Sequence, residues 1–199
     1  MSQPLAPAPF ALGVIPFYTQ HPMEIALKIR EKKLAISGDD FDITDARSGA
    51  VVFKCHGKVF SLHAKKEIHD NSGRHLFTIR NELLHLHSTY TGRDPASDAE
   101  IFEIKSSFAL GTKLTAKFVN RATPGDREEK LELKGDFFDR KAEITYNGVP
   151  VGRISRKFFN MGQVLFDDQT YILTVAPGVD ASLLVAFCIC LDEKSNDKN

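Results

Sequence analysis

Short runs of alternating apolar and polar residues recur along most of the chain, divided by turn residues. Phe60, Leu62 and Ala64 share one parity while Ser61, His63 and Lys65 share the other. Phe102 and Ile104 oppose Glu103 and Lys105, and Leu131 and Leu133 oppose Glu132 and Lys134. Successive side chains of a strand point to opposite faces, so this alternation predicts strands with one apolar and one wetted face, as antiparallel sheets have. The pattern places strands near 24–30, 40–44, 50–55, 59–67, 74–80, 83–89, 99–105, 112–119, 129–134, 141–146, 150–157 and 169–176. Their short, regular spacing is that of a sandwich or barrel.

The turns agree. Asp70-Asn71-Ser72-Gly73 carries Asp first and Gly last, as a type I turn prefers. Asn147-Gly148 between two apolar runs is a hairpin signal, and Pro124-Gly125-Asp126 breaks the chain between two others. A faint echo links Ile43-Thr44-Asp45 to Gly49, Ile68-His69-Asp70 to Gly73, and Ile144-Thr145-Tyr146-Asn147-Gly148. Gene duplication could explain it, but repeated hairpin chemistry is the simpler account.

The period changes after Pro177-Gly178. Asp180 reads as a helix N-cap, its carboxylate meeting free amides of the first turn. Residues 181 to 191 are then apolar on every side except at Ser182. As a helix they span about 16 Å, roughly half a bilayer core. A helix without a polar face must be enclosed. The expectation is a barrel or wrapped sheet with this helix inside, Leu183, Leu184, Phe187 and Leu191 forming its core. Residues 1 to 22 carry five prolines and read as an extended arm, with Phe10, Ile15, Phe17 and Tyr18 available to lie on the domain. Residues 23–193 form the domain and the polar end, 194–199, is expected to be disordered.

Composition narrows the functional classes. Twenty-six basic side chains balance 26 acidic ones in 199 residues, so the basic excess that phosphate neutralisation needs is missing and no nucleic-acid partner is expected. No apolar run reaches the roughly 20 residues of a membrane-crossing helix, and no signal-peptide pattern opens the chain. Three cysteines, Cys55, Cys188 and Cys190, fit a reducing compartment better than a disulfide framework. A cytoplasmic protein is expected, with a peripheral membrane or nuclear place left open.

These motifs together resemble the LURP-one-related family. The resemblance rests on Gly38-Asp39-Asp40-Phe41-Asp42-Ile43-Thr44-Asp45 followed by Gly49-Ala50-Val51-Val52-Phe53. It continues through Ser61-Leu62, Lys66-Glu67-Ile68-His69-Asp70 and Gly73-Arg74-His75-Leu76-Phe77-Thr78-Ile79-Arg80. It closes on Asp168-Gln169-Thr170-Tyr171, Val175-Ala176-Pro177-Gly178-Val179-Asp180 and Leu191-Asp192-Glu193. The resemblance implies an all-β fold similar to the tubby C-terminal domain and the phospholipid scramblases. That fold is a closed antiparallel barrel of about twelve strands around a buried C-terminal hydrophobic helix. Tubby relatives bind phosphoinositides, which makes lipid contact the analogy to test.

Candidate chemistry is sparse. No nucleophile elbow, P-loop or dinucleotide glycine pattern is present, so no enzyme, catalytic residue or cofactor is expected. His85-x-His87 would put two imidazoles on one strand face, but nothing local completes a metal site, and none is expected. Cys188-x-Cys190 lies on different faces of a helix and suits packing. One charge asymmetry stands out: Lys54, Lys58, Lys65, Lys66, Arg74 and Arg80 face only Glu67 and Asp70 in their stretch, which also holds His56, His63, His69 and His75. On one sheet face these bases would attract an anionic headgroup at about 1 kcal/mol each. The expected function is a non-enzymatic binding or adaptor module, with anionic phospholipid, phosphoinositide or a protein as partner. A scramblase-like lipid-moving protein and a protein–protein adaptor without lipid are the alternatives.

Overall fold

The computed structural model describes residues 3–34, 38–58, 65–82, 85, 87–107, 112–136, 141–155 and 170–196. Twelve antiparallel strands among them close into one barrel, each paired with its neighbour in the chain. The first six are β1 (Ile25–Leu34), β2 (Gly38–Asp45), β3 (Val51–Lys58), β4 (Lys65–Asp70), β5 (His75–Asn81) and β6 (Thr89–Arg93). The rest are β7 (Glu100–Ser106), β8 (Thr112–Asn120), β9 (Arg127–Asp136), β10 (Lys141–Tyr146), β11 (Val149–Ser155) and β12 (Thr170–Val175). β1 pairs with β12, from Ile25 opposite Val175 to Arg30 opposite Thr170, and this closure leaves the sheet without an edge.

A ring of twelve strands is too wide for its own side chains to fill, so something must plug it. The plug is α1, Ala181–Asn196. From Ala181 to Leu191 no residue is more than 6% exposed, and Leu183, Leu184 and Phe187 are wholly buried. The inward residues of the strands, among them Ile29, Phe53, Ile68, Phe102, Leu133 and Leu173, complete one continuous core with it. Gly152 on β11 shows how closely the helix approaches: a Cβ there would stand 2.7 Å from Leu184 Cδ1.

Three expectations shift. Of the strand expected at 83–89, residues 83, 84 and 86 lie outside the described residues, and β6 is described at Thr89–Arg93; of the one expected at 59–67, 59–64 lie outside and the rest is β4. The polar end expected to be disordered, 194–199, is helix as far as Asn196. The proline-rich arm, expected as an extended segment, is fastened to the domain. It pairs Leu12 with Val179 in a parallel bridge and makes a 3₁₀ turn at Pro16–Thr19. Its buried anchors are Leu5, Leu12 and Val14, while Phe10 and Phe17 stay exposed.

Asp180 joins arm and helix. Its Oδ1 accepts from the Ser182 amide at 2.9 Å, the Ser182 hydroxyl at 2.6 Å and the Leu183 amide at 3.3 Å. Its Oδ2 accepts from the amides of Val14 at 3.0 Å and Ile15 at 2.8 Å. The expected N-cap is therefore also the clasp of the N-terminal arm. The same carboxylate turn recurs at Asp45, Asp70 and Asp94, each accepting from a serine hydroxyl and amide just ahead in the chain. Asn147 and Gly148 both take positive φ, the geometry their hairpin signal demands.

Candidate functional site

Burial in β4 alternates without a break. Lys65, Glu67 and His69 face outward, half-buried, while Lys66, Ile68 and Asp70 face the interior. On β3 the same period exposes Lys54 and His56 and buries Phe53 and Cys55. The hairpin registers then set up rows across the outer face. Lys58 lies opposite Lys65, and Lys65 opposite Arg80. His56 lies opposite Glu67, and Glu67 opposite Thr78. Lys54 lies opposite His69, and a register shift after Ile68 brings His75 opposite His69.

This arrangement divides the six expected patch bases. Lys54 and Lys65 face outward on neighbouring strands. Lys58 holds its register position at the end of β3, its side chain outside the described residues. Arg80 stands in the same row but is bonded to Asp98, with Nη1 donating to Oδ2 at 3.1 Å. Arg74 sits on the β4–β5 turn, its Nε donating to Asp70 Oδ2 at 3.1 Å. Lys66 leaves the patch altogether. It is 6% exposed, points into the barrel, and carries its ammonium 2.8 Å from Glu193 Oε1 on α1 and 5.0 Å from the centre of the Phe41 ring. The strand period that turns Ile68 inward turns Lys66 with it.

The histidines gather more tightly than the bases. The rings of His69 and His75 stack with centroids 4.7 Å apart, and His56 lies 5.6 Å from His69 on the other side. Burial, then the neighbouring His75 and His56 rings, push the His69 pKa below its ordinary value. His85 and His87, the pair singled out in the sequence, precede β6 rather than lying on a strand, His85 exposed and His87 half-buried. The shared strand face assumed for them is absent. Sequence reasoning missed the grouping of Glu67, His69 and His75. Its signal was present: Glu67-x-His69 shares a face by parity, and the Asp70–Gly73 turn folds His75 back beside it.

Inside the barrel the three thiols are buried and reduced. Burial holds Cys188 and Cys190 well above the ordinary thiol range, and Cys55 is pushed up to about 12. None is poised as a nucleophile. Among the described residues, no helix is long and apolar enough to cross a membrane.

Comparison with known proteins agrees with this architecture. Protein LURP-one-related 15 of Arabidopsis thaliana is 26% identical over 200 residues, covering 96% of this chain and 90% of that protein. Protein LURP-one-related 1 of the same plant is 28% identical, covering 94% and 85%. Protein LURP1, also from Arabidopsis, is 26% identical, covering 86% and 84%. An X-ray structure of an Arabidopsis thaliana protein superposes with a TM-score of 0.63 at 23% identity, over 92% of this chain and 97% of the other, which speaks to the fold. The LURP-one-related family model matches residues 25–192, from the first strand of the barrel to the enclosed helix, and the chain belongs to that family.

Proposed function

We propose that the protein is a non-enzymatic binding module whose outer face over β3, β4 and β5 takes an anionic lipid headgroup. The observation that carries this reading is Lys65, facing outward on β4, with Arg80 opposite it in register on β5. Like charges directly opposed across strands destabilise a sheet, and an anion seated over them relieves that repulsion. Lys54 adds a further exposed base on β3. Lys66 contributes nothing to this surface, and Arg80 shares its charge with Asp98.

The test is co-sedimentation with phosphatidylcholine vesicles carrying either phosphatidylserine or a phosphoinositide, compared with neutral vesicles. Binding should fall as salt rises, because the attraction decays over about 10 Å at 0.1 M. Lys54→Gln and Lys65→Gln should each weaken it by about 1 kcal/mol, roughly fivefold, with folding unchanged. Absence of binding to both anionic vesicles at low salt overturns the lipid reading and leaves an adaptor for a protein partner.

A further inference from the structure

We infer that Glu67, His69 and His75 form a binding site for a late first-row divalent metal ion, of the zinc class, on the outer wall of the barrel. One ligand atom from each side chain lies within 4.8 Å of the other two. Zinc bonds of about 2.0–2.1 Å place tetrahedral ligand atoms about 3.3 Å apart, so side-chain rotation alone closes the remaining distance. Two imidazoles with a carboxylate suit zinc-class ions better than magnesium or calcium, which prefer oxygen ligands.

The strands fix all three positions before any metal arrives. Glu67 and His69 sit two residues apart on one face of β4. His75 reaches the same face because the register shift between Ile68 and His69 places it opposite His69. Each imidazole also has one nitrogen to offer. Thr78 Oγ1 lies 3.0 Å from His75 Nε2, which orients that ring and leaves Nδ1 as the nitrogen for a ligand. His69 Nδ1 is buried from solvent without a hydrogen-bond partner among the described residues. A buried polar atom of this kind calls for a partner, and a bound metal ion supplies one. His56 stands next in line, but its Nδ1 is 3.5 Å from Asp40 Oδ2 and it lies outside the triad. Three protein ligands leave a fourth position for water or an external anion.

The experiment is titration of the full chain with Zn²⁺ by calorimetry, repeated with Co²⁺ to read coordination from visible absorption. One ion per chain is expected. His69→Ala, His75→Ala and Glu67→Gln should each weaken binding by at least about tenfold. Thr78→Val should weaken it about 10- to 100-fold as the loss of an orienting partner, while Thr78→Ser retains it. Circular dichroism of every variant separates lost ligands from lost folding. His85→Ala with His87→Ala, and His56→Ala, should bind as the parent does. The Lys54→Gln, Lys65→Gln protein should also keep its affinity, which separates this site from the lipid reading. Absence of saturable binding, or binding untouched by the His69 and His75 variants, overturns the assignment.

Discussion

The ammonium of Lys66 stands 2.8 Å from Glu193 Oε1, tying the wall of the barrel to the last turns of the helix inside it. Both groups are largely withdrawn from solvent, at 7% and 18% side-chain exposure. Removing one partner of such a pair leaves a charge without compensation, at a cost of about 3–5 kcal/mol. Lys66→Glu should therefore lower the urea midpoint sharply, whereas Lys65→Glu next to it should barely move it. The double reversal Lys66→Glu, Glu193→Lys should recover part of the loss. Equal midpoints for the two single variants would mean that Lys66 faces water.

The enclosed helix should behave as the core of the fold. Phe187 is wholly buried, and its truncation to alanine should cost about 3–5 kcal/mol by lost burial and the cavity left behind. For a domain of ordinary marginal stability that is a large part of the whole. Removal of the chain after Gly178 should abolish cooperative unfolding, because the strands would then surround an empty barrel. Calorimetry of the truncated chain checks this, and a transition like that of the full chain would show the helix to be dispensable.

The clasp at Asp180 gives a local test. A Cβ added at Gly13 would lie 2.1 Å from Asp180 Cβ, closer than any real contact. Gly13→Ala should force the arm off the barrel end, exposing Leu12 and Val14 and making the first residues sensitive to protease. Asp180→Asn keeps the size of the side chain but turns an NH₂ group toward backbone donors on one side or the other. It should cost at least about 2 kcal/mol, since buried amides are left unsatisfied. Limited proteolysis with mass spectrometry reads the first effect and thermal unfolding the second.

Much of the architecture was legible because a barrel with one solvated face writes itself as period two, and an enclosed helix as an apolar run. β7 and β9 show this directly, with Phe102 and Ile104, then Leu131 and Leu133, buried. β6 did not, because four of its five residues are buried and Gly92 offers no side chain; the Phe102 ring fills that space instead. The strand expected at 83–89 was drawn from the apolar run at 83, 84 and 86, which lies outside the described residues, and β6 begins at Thr89. The N-cap role of Asp180 is local and could be read, but its grip on Val14 and Ile15 spans more than 160 residues and could not. The basic patch failed at Lys66 for a readable reason: grouping residues by sequence proximity ignored the parity that sends it inward. The histidine cluster needed a register shift that alternation alone does not encode.

Thiol chemistry should report the same enclosure. Cys55, Cys188 and Cys190 are at most 1% exposed, and burial disfavours each thiolate. At pH 8 the native protein should react with a thiol reagent far more slowly than the protein in urea, with all three sites released together. Rapid labelling of Cys188 or Cys190 in the native state would place the helix outside the barrel.

Acid should expose the role of Asp70. Burial by itself would raise its pKa, but the Ser72 hydroxyl, the Arg74 amide, the Tyr18 hydroxyl and the Ser72 amide outweigh burial and hold it at about 2, below the ordinary 3.8. Tyr18 donates to Oδ2 at 3.1 Å, so this carboxylate also pins the N-terminal segment to the β4–β5 turn. A group whose folded pKa is depressed stabilises the fold above its unfolded value and loses that contribution as pH falls through the folded one. The amount is at most about 2 kcal/mol, because the turn lies near solvent and screening reduces it. Asp70→Asn removes the titrating group while keeping its shape. At pH 7 it should be less stable than the parent, and the gap should close between about pH 4 and pH 2, where the parent carboxylate takes up its proton. Urea midpoints measured across that range with a chelator present keep metal binding at His69 and His75 out of the comparison. Parallel curves for parent and variant would show that the turn does not depend on the ionised form of Asp70.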